Sequence, residues 1–195
     1  MCIMGIDLAG MEKNPSGICI IEGDNILLKT SYTDKEIIET VQTSLPELIV
    51  IDAPLSLPRG RCCLEKECVC ASGGHFRQCE VEIRRYGPVL PLTFRGMKML
   101  TMRGISLKEK LEGYTLLETH PRTVQKMLGI TDLIQYVKDR FELDVKPSAH
   151  ELDGFLAALT GLSYLEDCYM ELGDPQEGTI ILPEKDCAIL LEIIK

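Results

Sequence analysis

The sequence predicts an α/β fold: one mixed sheet of five strands, a three-strand meander followed by parallel strands, flanked by helices. Three observations carry that prediction. Two short apolar runs, Cys2 to Ile6 and Leu48 to Ile51, are bounded by turn-forming residues, as strands buried on both faces are. Between them lie two further strand-like segments, joined at Gly23-Asp24-Asn25, and one helix. Finally, three apolar runs each end in one acid (Asp7, Asp52 and Glu118) and break soon after, at Gly10, Pro54 and Pro121. A carboxylate at a strand end sits on the rim of the sheet, where open α/β folds place their ligands.

Taken in order, Glu12 to Gly17 reads as a tight turn, Ile18 to Glu22 as the second strand and Ile26 to Tyr32 as the third. Thr33, with Glu36 three residues on, is a capping box for a helix over Asp34 to Ser44 that buries Ile37, Ile38 and Val41. Leu48 to Ile51 is the fourth strand. Residues 55–104 then form an irregular insertion rich in Cys, Arg, Gly and Pro, within which only Arg77 to Tyr86 reads as helical. A loop of this length inside a domain is expected to be functional or pinned by metal. Leu107 to Leu111 reads as a short helix and Tyr114 to Glu118 as the fifth strand. Helices follow over Pro121 to Leu128 and Leu133 to Phe141. Ser148 and Glu151 form a second capping box, opening a helix with the apolar stripe Leu152, Phe155, Leu156 and Leu159. On its adjacent face Asp153, Ala157 and Gly161 recur at four-residue spacing, and small residues there let the helix bring Asp153 down toward the strand ends. Gly173 to Gly178 is a turn into a short strand, Thr179 to Leu182. With no repeat or linker, residues 1–195 read as a single domain.

Hydrophobic residues make up 45% and charged residues 26%, an ordinary globular balance. No apolar run approaches the roughly 18 residues of a membrane span. No basic segment followed by a long apolar one opens the chain, so a cytoplasmic location is expected. Five of the nine cysteines fall between Cys62 and Cys79, a clustering that suits metal or redox chemistry in a reducing compartment better than a disulfide scaffold. The net charge of −9 argues against a surface coated with nucleic acid. Yet Arg59 to Arg103 carries nine Lys or Arg against four Glu, or +5, leaving −14 for the rest. Such a basic island suits a localised anionic ligand.

Carboxylates gathered at strand ends are hard oxygen donors suited to Mg²⁺ or Mn²⁺, and two such ions are sufficient to hydrolyse a phosphodiester. Arg84, Arg85, Arg95, Arg103 and Arg122 are candidates to hold phosphates bidentately. Within the cysteine segment, Cys63, Cys68, Cys70 and Cys79 are candidate zinc ligands, with His75 nearby. The spacing is not a paired C-x2-C, so an iron–sulfur cluster and free thiols both stay open.

The segments GIDLAG, IDAPLSLP, CE-x-x-x-RR-x-G from Cys79 to Gly87, GMKMLTMRGI, LETHPRTV, HELDGFLAALTG and GDPQEGTIILP resemble, in that order, an uncharacterised family of predicted nucleases. That family has a ribonuclease H-like fold, and the order of elements here is the order of that fold. The resemblance implies that Asp7 and Asp52 are the central metal-bridging pair and that Glu118 and Asp153 complete the cage. HELD is similar to the histidine-to-aspartate spacing of Holliday-junction resolvases in this superfamily, which places His150 near the site. Ribonucleases H proper carry the third acid on the first helix, where Glu36 and Glu39 lie here. A metal-dependent nuclease acting on nucleic acid is the leading expectation. An ATP-dependent phosphotransferase of the actin-like branch, with whose Gly-x-Asp-x-Gly-like first strand Gly5, Asp7 and Gly10 are compatible, is the second. A non-catalytic nucleic-acid-binding module is the third.

Overall fold

The apolar run at the N-terminus becomes the strand on which the sheet is built. In a computed structural model, which describes residues 1–70, 72–142, 146–187 and 190, β1 (Cys2–Asp7) pairs antiparallel with β2 (Ser16–Glu22) and parallel with β4 (Leu48–Asp52). β3 (Asn25–Ser31) completes the meander on the outer side of β2. α1 (Asp34–Ser44) is the crossover to β4, and its Thr33–Glu36 capping box forms as expected.

The sheet has seven strands in the order β3-β2-β1-β4-β5-β7-β6, not five. β5 is only Leu116–Glu118, and β7 (Gly178–Pro183) joins it in parallel at the single pair Glu118 and Ile180. β6 (Tyr169–Asp174) closes the edge antiparallel to β7. The sequence hides β6 because Tyr-Met-Glu-Leu-Gly-Asp contains no β-branched residue and buries only Leu172. Such an edge strand lacks the composition by which interior strands are recognised.

A second difference lies in the insertion. α2 (Gln78–Ile83) is shorter than expected, whereas α3 runs the full length of Arg95–Lys110 in place of a short helix over 107–111. Gly96 and Gly104 read as helix breakers. Instead, a Cβ at Gly104 would stand 2.7 Å from the carbonyl oxygen of Pro54, so the glycine lets α3 press against the segment leaving β4. α4 (Pro121–Leu128), α5 (Leu133–Phe141) and α6 (Ala149–Leu165) fall where expected, and Ser148 and Glu151 cap α6 reciprocally.

Side chains alternate across β1 to build two cores. Ile3 joins Cys19, Ile21, Phe155, Leu156 and Leu159 beneath α6, while Met4 and Ile6 join Ile37, Val41, Ile49, Ile51 and Leu107 beneath α1 and α3. α6 lies on the sheet almost backbone to backbone. A Cβ at Gly5 would meet the Gly154 carbonyl oxygen at 2.0 Å, and one at Gly17 would meet that of His150 at 1.9 Å. This contact fixes the height of the N-terminal turn of α6 above the end of β1. Among the described residues, no helix is long and apolar enough to cross a membrane.

Candidate active site

Three carboxylates converge where β1, β4 and α6 meet. Asp7 and Asp52 are register partners at the ends of β1 and β4, so their backbones stand about 4.8 Å apart. Asp153 is one turn into α6, and the close seating of that helix brings it within electrostatic reach of both. His150, at the start of the same helix, shares a 2.6 Å hydrogen bond between its Nδ1 and Oδ2 of Asp7.

The carboxyls bear the mark of crowding. Burial pushes Asp52 well above the usual carboxylate range, and the charges of Asp7 and Asp153 push it further. Asp153 is raised to about 6, first by burial and then by Asp7. Burial also raises Asp7, against the opposing hydrogen bond from His150. Arg122, exposed at the start of α4, is the arginine whose charge opposes these shifts at Asp52 and Asp153. Asp7, Asp52 and Asp153 form no ion pair with Lys or Arg among the described residues. A group of acids left in this state fits a cation in its donor chemistry, offering hard oxygens and uncompensated charge.

Glu118 is placed differently from the expectation. It ends β5 and lines the same cleft, but Arg77 donates from its two terminal nitrogens to both Glu118 oxygens at 2.7 Å. The backbone N–H of Leu55 donates to Oε1 as well. Arg77 is fully buried, and it binds Glu80 on its other side at 2.6 Å. A carboxylate facing a guanidinium in this way has little to offer a cation. Sequence reasoning missed this pairing because Arg77 and Glu118 are separated by 41 residues. The Arg77 to Glu80 interval, by contrast, is a legible helix-start spacing, and Glu80 accepts from the Arg77 N–H.

Behind the three aspartates opens a cleft of about 270 Å³, lined by Asp52, Arg77, Glu118, His120, Arg122 and Asp153, with Val89, Leu90 and Met97 on its apolar side. His120, which the sequence did not single out, bonds Thr123 Oγ1 at 2.8 Å, and burial and Arg122 push its pKa down. That shift favours its neutral imidazole form. Arg84, Arg85 and Arg95 are exposed on the segments that carry the cleft-lining Ile83 and Met97. Arg84 stacks over the ring of Phe76 at 3.8 Å and Arg85 over Tyr86 at 4.9 Å.

Arg103 does not face the cleft. It is buried and donates to Asp34, to the carbonyl of Ala9 and to that of Tyr32, clamping α3 to the start of α1. Glu36 accepts from the N–H groups of Tyr32 and Thr33 as a cap, and Glu39 pairs with Lys35, so both acids of the first helix stay outside the site. Cys79 lies in the apolar core rather than with the other cysteines, and His75 bonds Thr93.

No protein-family model and no curated protein matches the chain. Among solved structures, T. thermophilus RuvC in complex with a Holliday junction substrate superposes with a TM-score of 0.50 at 14% identity. The match covers 86% of this chain and 96% of RuvC. The chain shares the RuvC fold. That likeness supports the ribonuclease H-like architecture expected from the motifs, with seven strands in place of five. At this identity the likeness to RuvC speaks for the fold alone, and the chemistry has to be argued from the residues.

Proposed function

We propose that this chain is a divalent-metal-dependent nuclease. The observation that carries the reading is the in-register pairing of Asp7 with Asp52 beneath Asp153. Asp7, Asp52 and Asp153 would hold Mg²⁺ or Mn²⁺, and such ions activate water and stabilise the leaving oxygen of a phosphodiester. The remaining steps fall to the chain's own groups. His150 orients the Asp7 carboxylate through its Nδ1 bond. Glu118 acts as the anchor that holds Arg77 on the floor of the cleft. Arg122, beside the aspartates, supplies the first contact to a phosphate. Arg84, Arg85 and Arg95 extend the positive path over the outer surface, where aromatic contacts hold the first two in place.

Nucleic acid is the partner that fits an acidic protein with exposed Arg84, Arg85, Arg95 and Arg122 around one cleft, because phosphate contacts dominate such binding and need only a local patch. RuvC is seen with a branched DNA substrate, so four-way junctions belong in the test beside single strands, duplexes and hybrids. Purified protein with Mg²⁺ or Mn²⁺ should cleave at least one of these, and Asp7→Asn and Asp52→Asn should each reduce the rate more than about a hundredfold, beyond what changes to residues behind a metal ligand typically cost. Equal behaviour of wild type and both variants on all substrates would overturn the proposal. ATP hydrolysis that is lost in Asp7→Asn would assign the site to the phosphotransferase class instead.

A further inference from the structure

Residues 53–77, between β4 and α2, contain a closed lobe that the acid cluster does not explain. Its two limbs meet at residues 59–60 and 72–73: a Cβ at Gly73 would stand 1.8 Å from the Arg59 carbonyl oxygen, and Ser72 Oγ donates to the Gly60 carbonyl at 3.2 Å. Arg61 bridges them again, donating to the Gly74 carbonyl at 2.7 Å and to that of Glu65 at 3.2 Å. Yet the lobe has almost no core. Of its described residues from 59 to 74, Leu64 alone is buried, and Val69 is 98% exposed. A segment of this size with one buried apolar residue requires a cross-link or a metal to hold one shape.

Four sulfurs gather inside it. The Sγ atoms of Cys62, Cys63 and Cys68 lie within 4.8 Å of one another, Cys62 and Cys68 are 3.5 Å apart, and Cys70 is paired with Cys62 as a disulfide. In a tetrahedral site with Zn–S bonds of about 2.3 Å, the sulfurs stand roughly 3.8 Å apart. The Cys62–Cys68 separation is close to that spacing, the Sγ atoms of Cys62, Cys63 and Cys68 fall within reach of one ion, and Cys70 is joined to the group through Cys62.

We propose that Cys62, Cys63, Cys68 and Cys70 form a structural zinc site that closes the lobe and thereby fixes the chain between Asp52 and Arg77. This site is independent of the nuclease reading. Its ligand set replaces Cys79, which is committed to the core, with Cys62. When a dithiol supplies two electrons and two protons to the Cys62–Cys70 bond, becoming a disulfide itself, four thiols result. Zn²⁺ then displaces their four protons to give a tetrathiolate. The carbonyls of Cys63 and Glu65 accept from Arg61, which places a guanidinium beside that negative centre. The lobe is also tied to the rest of the chain: Glu65 pairs with Lys98 on α3, and Glu177 accepts from the N–H groups of Arg59 and Gln78.

The test uses the full chain, expressed without a metal-binding tag and purified with a dithiol. Elemental analysis should find about one zinc per chain, and Co²⁺ substitution should give the thiolate charge-transfer and visible bands of a tetrahedral site. Cys63→Ser and Cys68→Ser should each abolish both signals while Cys79→Ala retains them. Trypsin should cleave at Arg61 or Lys66 many times faster after zinc is stripped from the wild type. A reduced protein that takes up no zinc, one that carries iron in its place, or zinc retained in the Cys63→Ser/Cys68→Ser double variant would overturn the proposal.

Discussion

Asp7 and Asp52 are Cα partners on adjacent parallel strands, and neither carboxylate has a Lys or Arg ion-pair partner among the described residues. His150 and Arg122 offset part of the charge of these acids and of Asp153, and taking up a proton or a cation relieves the rest of their repulsion. The raised pKa of Asp52, owed first to burial and then to Asp7 and Asp153, favours the first outcome. A bound divalent ion would be the second, and the two outcomes compete.

That competition makes Asp52→Asn informative. Asparagine keeps the volume and removes one charge from the crowd. In EDTA at pH 7.5 the variant should be more stable than wild type by on the order of 1–2 kcal/mol, a rise of about 2–8 °C in Tm for a chain of this size. With millimolar Mg²⁺ the wild type should gain and the variant should not. A thermal melt showing Asp52→Asn less stable in EDTA would mean that the carboxylate has a favourable partner.

The pH dependence follows from Asp153, raised from 3.8 to about 6 by burial and by Asp7. The folded, metal-free protein holds this proton where the unfolded chain has already released it. Its contribution to stability is therefore present at acid pH, declines as pH rises from about 4 through 6, and stays lost above that. Metal binding runs the other way, since the ion needs ionised ligands. Mn²⁺ affinity measured by calorimetry should weaken severalfold as pH falls through 6. A flat profile between pH 5 and 8 would exclude Asp153 as a ligand.

Arg77 carries the third prediction. It is fully buried between Glu118 and Glu80. Removing one partner of a buried charge pair typically costs about 3–5 kcal/mol, because the remaining charges are left unpaired. Arg77→Met should lower Tm by roughly 6–20 °C, and adding Glu118→Gln to that background should recover part of the loss. Independent, additive losses in the double variant would show that the two side chains are not coupled.

These results also mark what was legible in the sequence. β1, β4 and their terminal aspartates were readable because an apolar run ending in one acid leaves few alternatives. Asp153 was readable through Ala157 and Gly161, although the tighter contact is made by Gly5 against Gly154, visible only as a glycine inside a strand. Glu118 obeyed the same strand-then-acid grammar but serves Arg77, because sequence cannot show which distant cation a buried acid will meet. Arg103 reads as a phosphate-binding arginine on charge alone, whereas its three donors tie α3 to Asp34 at the start of α1 and to the carbonyls of Ala9 and Tyr32. α3 itself is hidden by Gly96 and Gly104, of which Gly104 serves close packing against Pro54 rather than a turn.

The central claim, that the aspartates at the ends of β1 and β4 form a divalent-metal site, is tested most directly by Mn²⁺ binding. Titration of the purified protein at pH 7.5, followed by electron paramagnetic resonance, should show saturable Mn²⁺ uptake. Asp7→Asn and Asp52→Asn should each abolish that uptake, while folded Glu118→Gln keeps it. Uptake unchanged in Asp7→Asn and Asp52→Asn, or absent from the wild type, would contradict the account.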